Sequence, residues 1–121
     1  MKSARDIVNH FYDVCNNRQG QGLETLVADG ILFEGPVMRL SGADQYVAAV
    51  GPLCKFHKGT RMLRQFEDGE HVCSIYEMTL GTPAGGTLTL AFSDWIRIVD
   101  GKVAEQKLYY DPREFAKEFG I

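Results

Sequence analysis

From Thr87 to Val99 the chain alternates apolar and polar side chains along one unbroken run, and a single residue sits on the wrong face. Leu88, Leu90, Phe92, Ile96 and Ile98 share a face with Asp94, while Thr87, Thr89, Ala91, Ser93 and Arg97 take the other. A period of two over this length demands a long strand in a sheet with one covered face. An isolated ionised carboxylate in the middle of such a face is strongly disfavoured unless it is paired or neutralised. Two answers are open: a buried structural hydrogen bond, or a ligand pocket that the carboxyl group overlooks. Locally inconsistent positions of this kind are where functional sites concentrate.

The rest of the second half has the same texture. Alternating runs from Thr60 onward are joined by Asp68-Gly69, by the loop TPAGG and by Asp100-Gly101, which predicts a four-strand antiparallel meander ending in a strand from Lys102 to about Tyr110. The first half reads as helical. Ser3 and Asp6 have capping-box spacing ahead of Ile7, Val8, Phe11, Val14 and Cys15, and the helix is expected to end near 16–20. A short second helix is expected over 22–28, then a turn at Asp29-Gly30, a strand over 31–37, and a third helix started by Ser41 and Asp44 and ended by Gly51 and Pro52. A last helical stretch, REFAKEF, follows Asp111 as cap and Pro112 at its first position. Helices gathered early and strands gathered late define an α+β fold, and 121 residues suit one domain, 1–121, with its own core.

Composition removes several functions. The net charge is −3 with lysines and arginines scattered, so no footprint for nucleic acid or an anionic membrane surface is present. No apolar stretch approaches the length of a membrane span, and MKSARDIV lacks the apolar core of a signal peptide, so a cytoplasmic protein is expected. Cys15, Cys54 and Cys73 fit reduced thiols better than a disulfide framework or a zinc site. His10, His57 and His71 have no metal-ligand spacing, and no helix follows the GTPAGG loop to hold a phosphate, so neither metal nor cofactor is expected.

Three helices of modest length cover only one face of the meander. The other face, with Cys73, Ile75, Thr89, Ala91, Trp95 and Val99, is too apolar in parts for plain exposure, which predicts a homodimer paired through outer sheet faces. The covered face is able to curl around a cavity lined by Phe33, Met38, Tyr76, Met78, Phe92 and Leu108, with Asp94 and Tyr12 as polar points and His57 near the mouth, or the same side chains meet and fill a core. An occupant of such a cavity would be a small, largely apolar molecule.

The helix pair followed by LFEGP, the helix start SGADQYV, and SDWIRIVDGKVAEQKLYYDPREF resemble the nuclear transport factor 2-like superfamily, particularly its SnoaL-like and ketosteroid isomerase-like branch. The resemblance covers nearly the whole chain. It implies a cystatin-like cone, a curved and mainly antiparallel sheet wrapped around three N-terminal helices, dimeric through its outer face. For ketosteroid isomerases it further implies an oxyanion hole made by a helix tyrosine and a protonated aspartic acid. Asp94 matches the acid. Tyr12 is the candidate tyrosine, although ungapped spacing falls on Phe11. The base position falls on Gly35, which accepts no proton, and Glu34 beside it belongs to the opposite strand face. The Arg and two Asp of the superfamily's epoxide hydrolases fall on Tyr76, Met78 and Leu108, which are unable to perform that transfer. The expectation is therefore ligand binding with Asp94 as hydrogen-bond donor, supporting cofactor-independent isomerase, cyclase or dehydratase chemistry if the chain is an enzyme. The alternative is a non-catalytic binding or dimerisation module.

Overall fold

The computed structural model describes residues 2–121. Helix α1 (Ala4–Asn17) begins as its sequence dictates: the Asp6 amide donates to Ser3 Oγ at 3.1 Å and the Ser3 amide to Asp6 Oδ2 at 3.2 Å. Its buried stripe is Val8, Phe11 and Val14. The expected second helix is only a single 3-10 turn, Leu23–Thr25, and the chain is already extended at Val27. Long-range pairing overrides the local pattern here, since Val27 pairs with Val103 and the Leu26 carbonyl accepts from the Val103 amide at 2.9 Å.

Strand β1 (Val27–Glu34) absorbs the expected Asp29-Gly30 turn as an irregularity in its pairing, and turns into a short strand, β2 (Arg39–Ser41), that carries no alternation for a sequence reading to detect. Helix α2 (Ala43–Cys54) starts at Gly42, not at a Ser41 cap, and runs through Gly51 and Pro52. Pro52 withholds one N–H from the carbonyl of Ala48, and Ala48 is exposed, so the freed group is open to solvent. The meander follows: β3 (His57–Asp68), β4 (His71–Gly81), β5 (Thr87–Val99) and β6 (Lys102–Tyr109). Asp100 and Gly101 both take positive φ, 52° and 76°, as a two-residue hairpin turn requires. Helix α3 (Arg113–Phe119) closes the chain, with Pro112 one residue earlier than expected and the Asp111 carboxylate accepting from the Arg113 amide at 3.1 Å.

The sheet order is β2-β1-β6-β5-β4-β3, antiparallel except for the parallel β1/β6 pair. It is curved and not closed, and the register shifts in β3 and β6 are bulges of the kind that bend a strand. The architecture is the expected cone of α+β class, with two helices and one 3-10 turn at the N-terminal end and the third helix at the C-terminal end. Its interior is two apolar clusters. One gathers Val8, Phe11, Val14, Phe33, Tyr46 and Ile96 under α1 and α2; the other gathers Tyr76, Leu80, Leu88, Leu90, Phe92 and Phe115 against α3. Tyr12 and Leu108 touch both.

Candidate functional site

Asp94 sits in the middle of β5, opposite Ser74 on β4 and Leu108 on β6, and is fully buried. Three neutral groups answer it. The Tyr12 hydroxyl, delivered by α1, donates to Oδ2 at 2.9 Å; the Tyr76 hydroxyl, from β4, donates to the same oxygen at 3.1 Å; and Gln106 Nε2, from β6, lies 3.0 Å from Oδ1 and 3.2 Å from Oδ2. Behind Gln106 the Tyr46 hydroxyl of α2 donates to Oε1 at 2.6 Å. The network is complete: among the described residues no buried side-chain polar atom lacks a partner.

Burial pushes the Asp94 carboxyl up to about 6, and the donations from Gln106, Tyr12 and Tyr76 hold it down from a higher value. At neutral pH the group is therefore mostly ionised. Burial first, and the Asp94 charge after it, drive Tyr12 and Tyr76 well above the ordinary tyrosine range, so both stay protonated and both protons point at the carboxylate. This geometry makes Asp94 an acceptor where a donor was expected. The contact between Tyr12 and Asp94 is also the structural hydrogen bond that stood as the alternative explanation of a buried acid.

A half-enclosed cavity of about 150 Å³ lies at the seam of the two apolar clusters. All of Phe33, Met38, His57, Tyr76, Met78, Phe92 and Leu108 line it, and so does Tyr12; Asp94 does not. The carboxylate lies behind a wall made by Tyr12, Tyr76 and Gln106. Gly35 lines the cavity as well, and a Cβ there would come within 3.1 Å of the Phe33 ring, so the position is small for steric reasons too. Glu34 points outward and pairs with Arg39 at 3.5 Å, as the alternation of β1 requires. His57 Nε2 lies 2.7 Å from Thr60 Oγ1, and partial burial lowers its affinity for a proton. Cys15, half-buried beside Cys54, is held well above the usual thiol range by that neighbour and by desolvation, which disfavours a nucleophilic thiolate at that position. Among the described residues no three His, Cys, Asp or Glu side chains converge to hold a metal ion.

Several lining residues escape a reading of the sequence. Gln106 is the main one, because the pairing of β5 with β6 skips Ala104 and thereby shifts the inward phase between Val103 and Gln106. Counting back by two from Leu108 would have found it. Tyr46 reads as one more apolar helix position. Phe115 and Phe119, four apart on α3, form the far wall with Tyr110, and their spacing is the signal that was present.

A curved sheet holding an aromatic cavity over a buried acid defines a class, and comparison with known proteins gives it a family. The model for the SnoaL-like domain matches residues 8–106, and the chain belongs to that family, within the nuclear transport factor 2-like superfamily. Solved structures agree on the fold. A nuclear transport factor 2-like protein of unknown function from Cytophaga hutchinsonii superposes with a TM-score of 0.80 at 23% identity, covering 95% of this chain and 96% of that one. One from Burkholderia pseudomallei, also of unknown function, gives 0.80 at 17% identity over 100% of both chains. A protein with a ketosteroid isomerase-like fold from Catenulispora acidiphila, solved in complex with trimethylamine, gives 0.75 at 14% identity, covering 96% and 93%. Among proteins of curated function, none matches this sequence. Among the described residues no helix is long and apolar enough to cross a membrane.

Proposed function

We propose that this chain is a small-molecule-binding protein whose cavity takes a compact, largely apolar ligand and holds it without chemical turnover. The observation that carries this reading is the cavity itself: about 150 Å³, walled by nine phenylalanine and tyrosine rings, with a surface that is mostly apolar. Apolar cavities of about this size in other proteins stay dry and admit molecules as large as benzene. Ketosteroid isomerase-like turnover would need a base at Gly35 and a proton on Asp94, and this chain supplies neither at neutral pH. Met38 and Met78 line the cavity while Met62 lies exposed on β3, which gives three methyl reporters. Titration of phenol or indole into methyl-labelled protein should shift Met38 and Met78 saturably and leave Met62 in place. Unmoved Met38 and Met78 signals at millimolar ligand would refute the reading.

We also propose that the protein pairs with a second copy through the outer sheet face. Cys73, Ile75, Trp95 and Val99 lie there only half-buried, and Cys73 pairs directly with Trp95 across β4 and β5.

A further inference from the structure

Asp94 presents an imbalance that the cavity inherits. Its partners Tyr12, Tyr76 and Gln106 are all neutral, and among the described residues no ion pair reaches it; those that form, such as Arg97 with Glu105 and Arg61 with Glu77, lie away from the cavity. Buried charges are normally paired with an opposite one. No Lys, Arg, Asp or Glu lines the cavity, and its one titratable base, His57, is disfavoured in its charged form by burial. The interior is therefore net negative at neutral pH, with nothing inside to offset it.

The wall between this charge and the cavity is aromatic. Tyr12 meets Tyr76 edge-on at 5.6 Å, Tyr76 stacks on Phe92 at 5.3 Å, and Phe92 meets Tyr110 at 4.9 Å, so ring follows ring from α1 across the sheet towards α3. Ring faces attract cations, and more strongly in a desolvated site. The hydrogen bonds add a third constraint. The hydroxyl protons of Tyr12 and Tyr76 are engaged by Asp94 and that of Tyr46 by Gln106, so these three hydroxyls have no proton left to donate to an occupant. Donation to an ionised partner also polarises those oxygens towards greater negative charge. A carbonyl group or an anion finds no donor among them.

We infer that the preferred occupant of the cavity is a small alkylated ammonium cation, not a neutral molecule or a carbonyl compound. Methylated nitrogen fits best, because its charge is spread over apolar surface and needs no hydrogen-bond acceptor of its own, whereas a primary ammonium is strongly hydrated and would have to shed that water.

This inference rests on the binding reading above, and one pair of probes separates the two. Choline and its uncharged isostere 3,3-dimethylbutan-1-ol have nearly the same shape. Calorimetric titration of the full chain at pH 7.5 should give choline an affinity about tenfold higher than the alcohol. Asp94→Asn, checked for folding by circular dichroism, should remove most of that preference while changing the alcohol's affinity less than threefold. An alcohol that binds as well as choline overturns the cation inference and leaves the binding reading standing. Failure of both probes, with unmoved Met38 and Met78 methyls, overturns both. A preference for choline that survives intact in Asp94→Asn also sinks the inference, since the carboxylate would not be its cause. Should that variant not fold, the wild-type ratio decides alone.

Discussion

At the scale of single residues, Asp94 ties stability to pH. Its value of about 6 in the folded chain lies above its ordinary 3.8, so the folded state holds this proton more tightly than the unfolded one. That contribution is fully present below about pH 4 and is lost as pH rises through about 6, a swing of about 3 kcal/mol. The stability of wild type relative to Asp94→Asn should fall by that amount between pH 4 and 7 in urea unfolding; a constant difference would show that the carboxyl group is not desolvated. No other group against the acid titrates there, because Tyr12, Tyr46, Tyr76 and Cys15 are all shifted upwards from values already above 8. Tyr76→Phe should raise the Asp94 midpoint further, visible in a carboxyl carbon NMR titration, and destabilise the chain by about 2 kcal/mol through loss of a hydrogen bond to a charge. A lower midpoint would mean that Tyr76 does not stabilise the ionised form.

At the scale of elements, the strands with a covered face were legible because burial imposes a period of two on them. In β5 every second residue from Leu88 to Ile98 is buried, Asp94 included, and the sequence pattern carried this without error. The first half was less legible. Val27 reads as the end of a helix until Val103 is there to pair with it, and β2 is three residues long and pairs only at the sheet's edge, so neither leaves a local mark. For the candidate site, Phe33, Tyr76, Met78, Phe92 and Leu108 line the cavity, whereas Asp94, which shares their pattern, stands behind Tyr12, Tyr76 and Gln106, and the inward phase of Gln106 is out of step with Val103 because the pairing skips Ala104. The cavity is open to a test at this scale. Leu108 lies on β6 between the two clusters, and Leu108→Trp should fill the void, abolish the shifts of Met38 and Met78 with added phenol, and leave the circular dichroism spectrum unchanged. Retained binding would place the ligand elsewhere. Phe115→Ala should destabilise the chain by about 3 kcal/mol by opening the α3 wall.

At the scale of the whole molecule, the proposed pairing of two copies is tested on the outer face of the sheet. Trp95 lies between His71, whose ring is 5.1 Å away, and Lys107, whose Nζ stands 5.5 Å from the indole, with Cys73 beside it on the neighbouring strand. Light scattering should give twice 13.5 kDa, 27 kDa, at micromolar concentration, and Trp95→Glu should return the 13.5 kDa species. A monomer in both would remove the proposed pairing. The parallel seam between β1 and β6 acts on another property of the molecule, the entropic cost of its folding. The hairpins from β3 to β6 pair neighbours in the chain, whereas Val27 pairs with Val103 across most of it, and closing so long a loop costs more entropy than closing a hairpin. Tyr46 reaches Gln106 over a similar span. The container is thus held shut by pairings that span most of the chain, and a molecule that fits inside it will recognise only copies in which β1 and β6 have met.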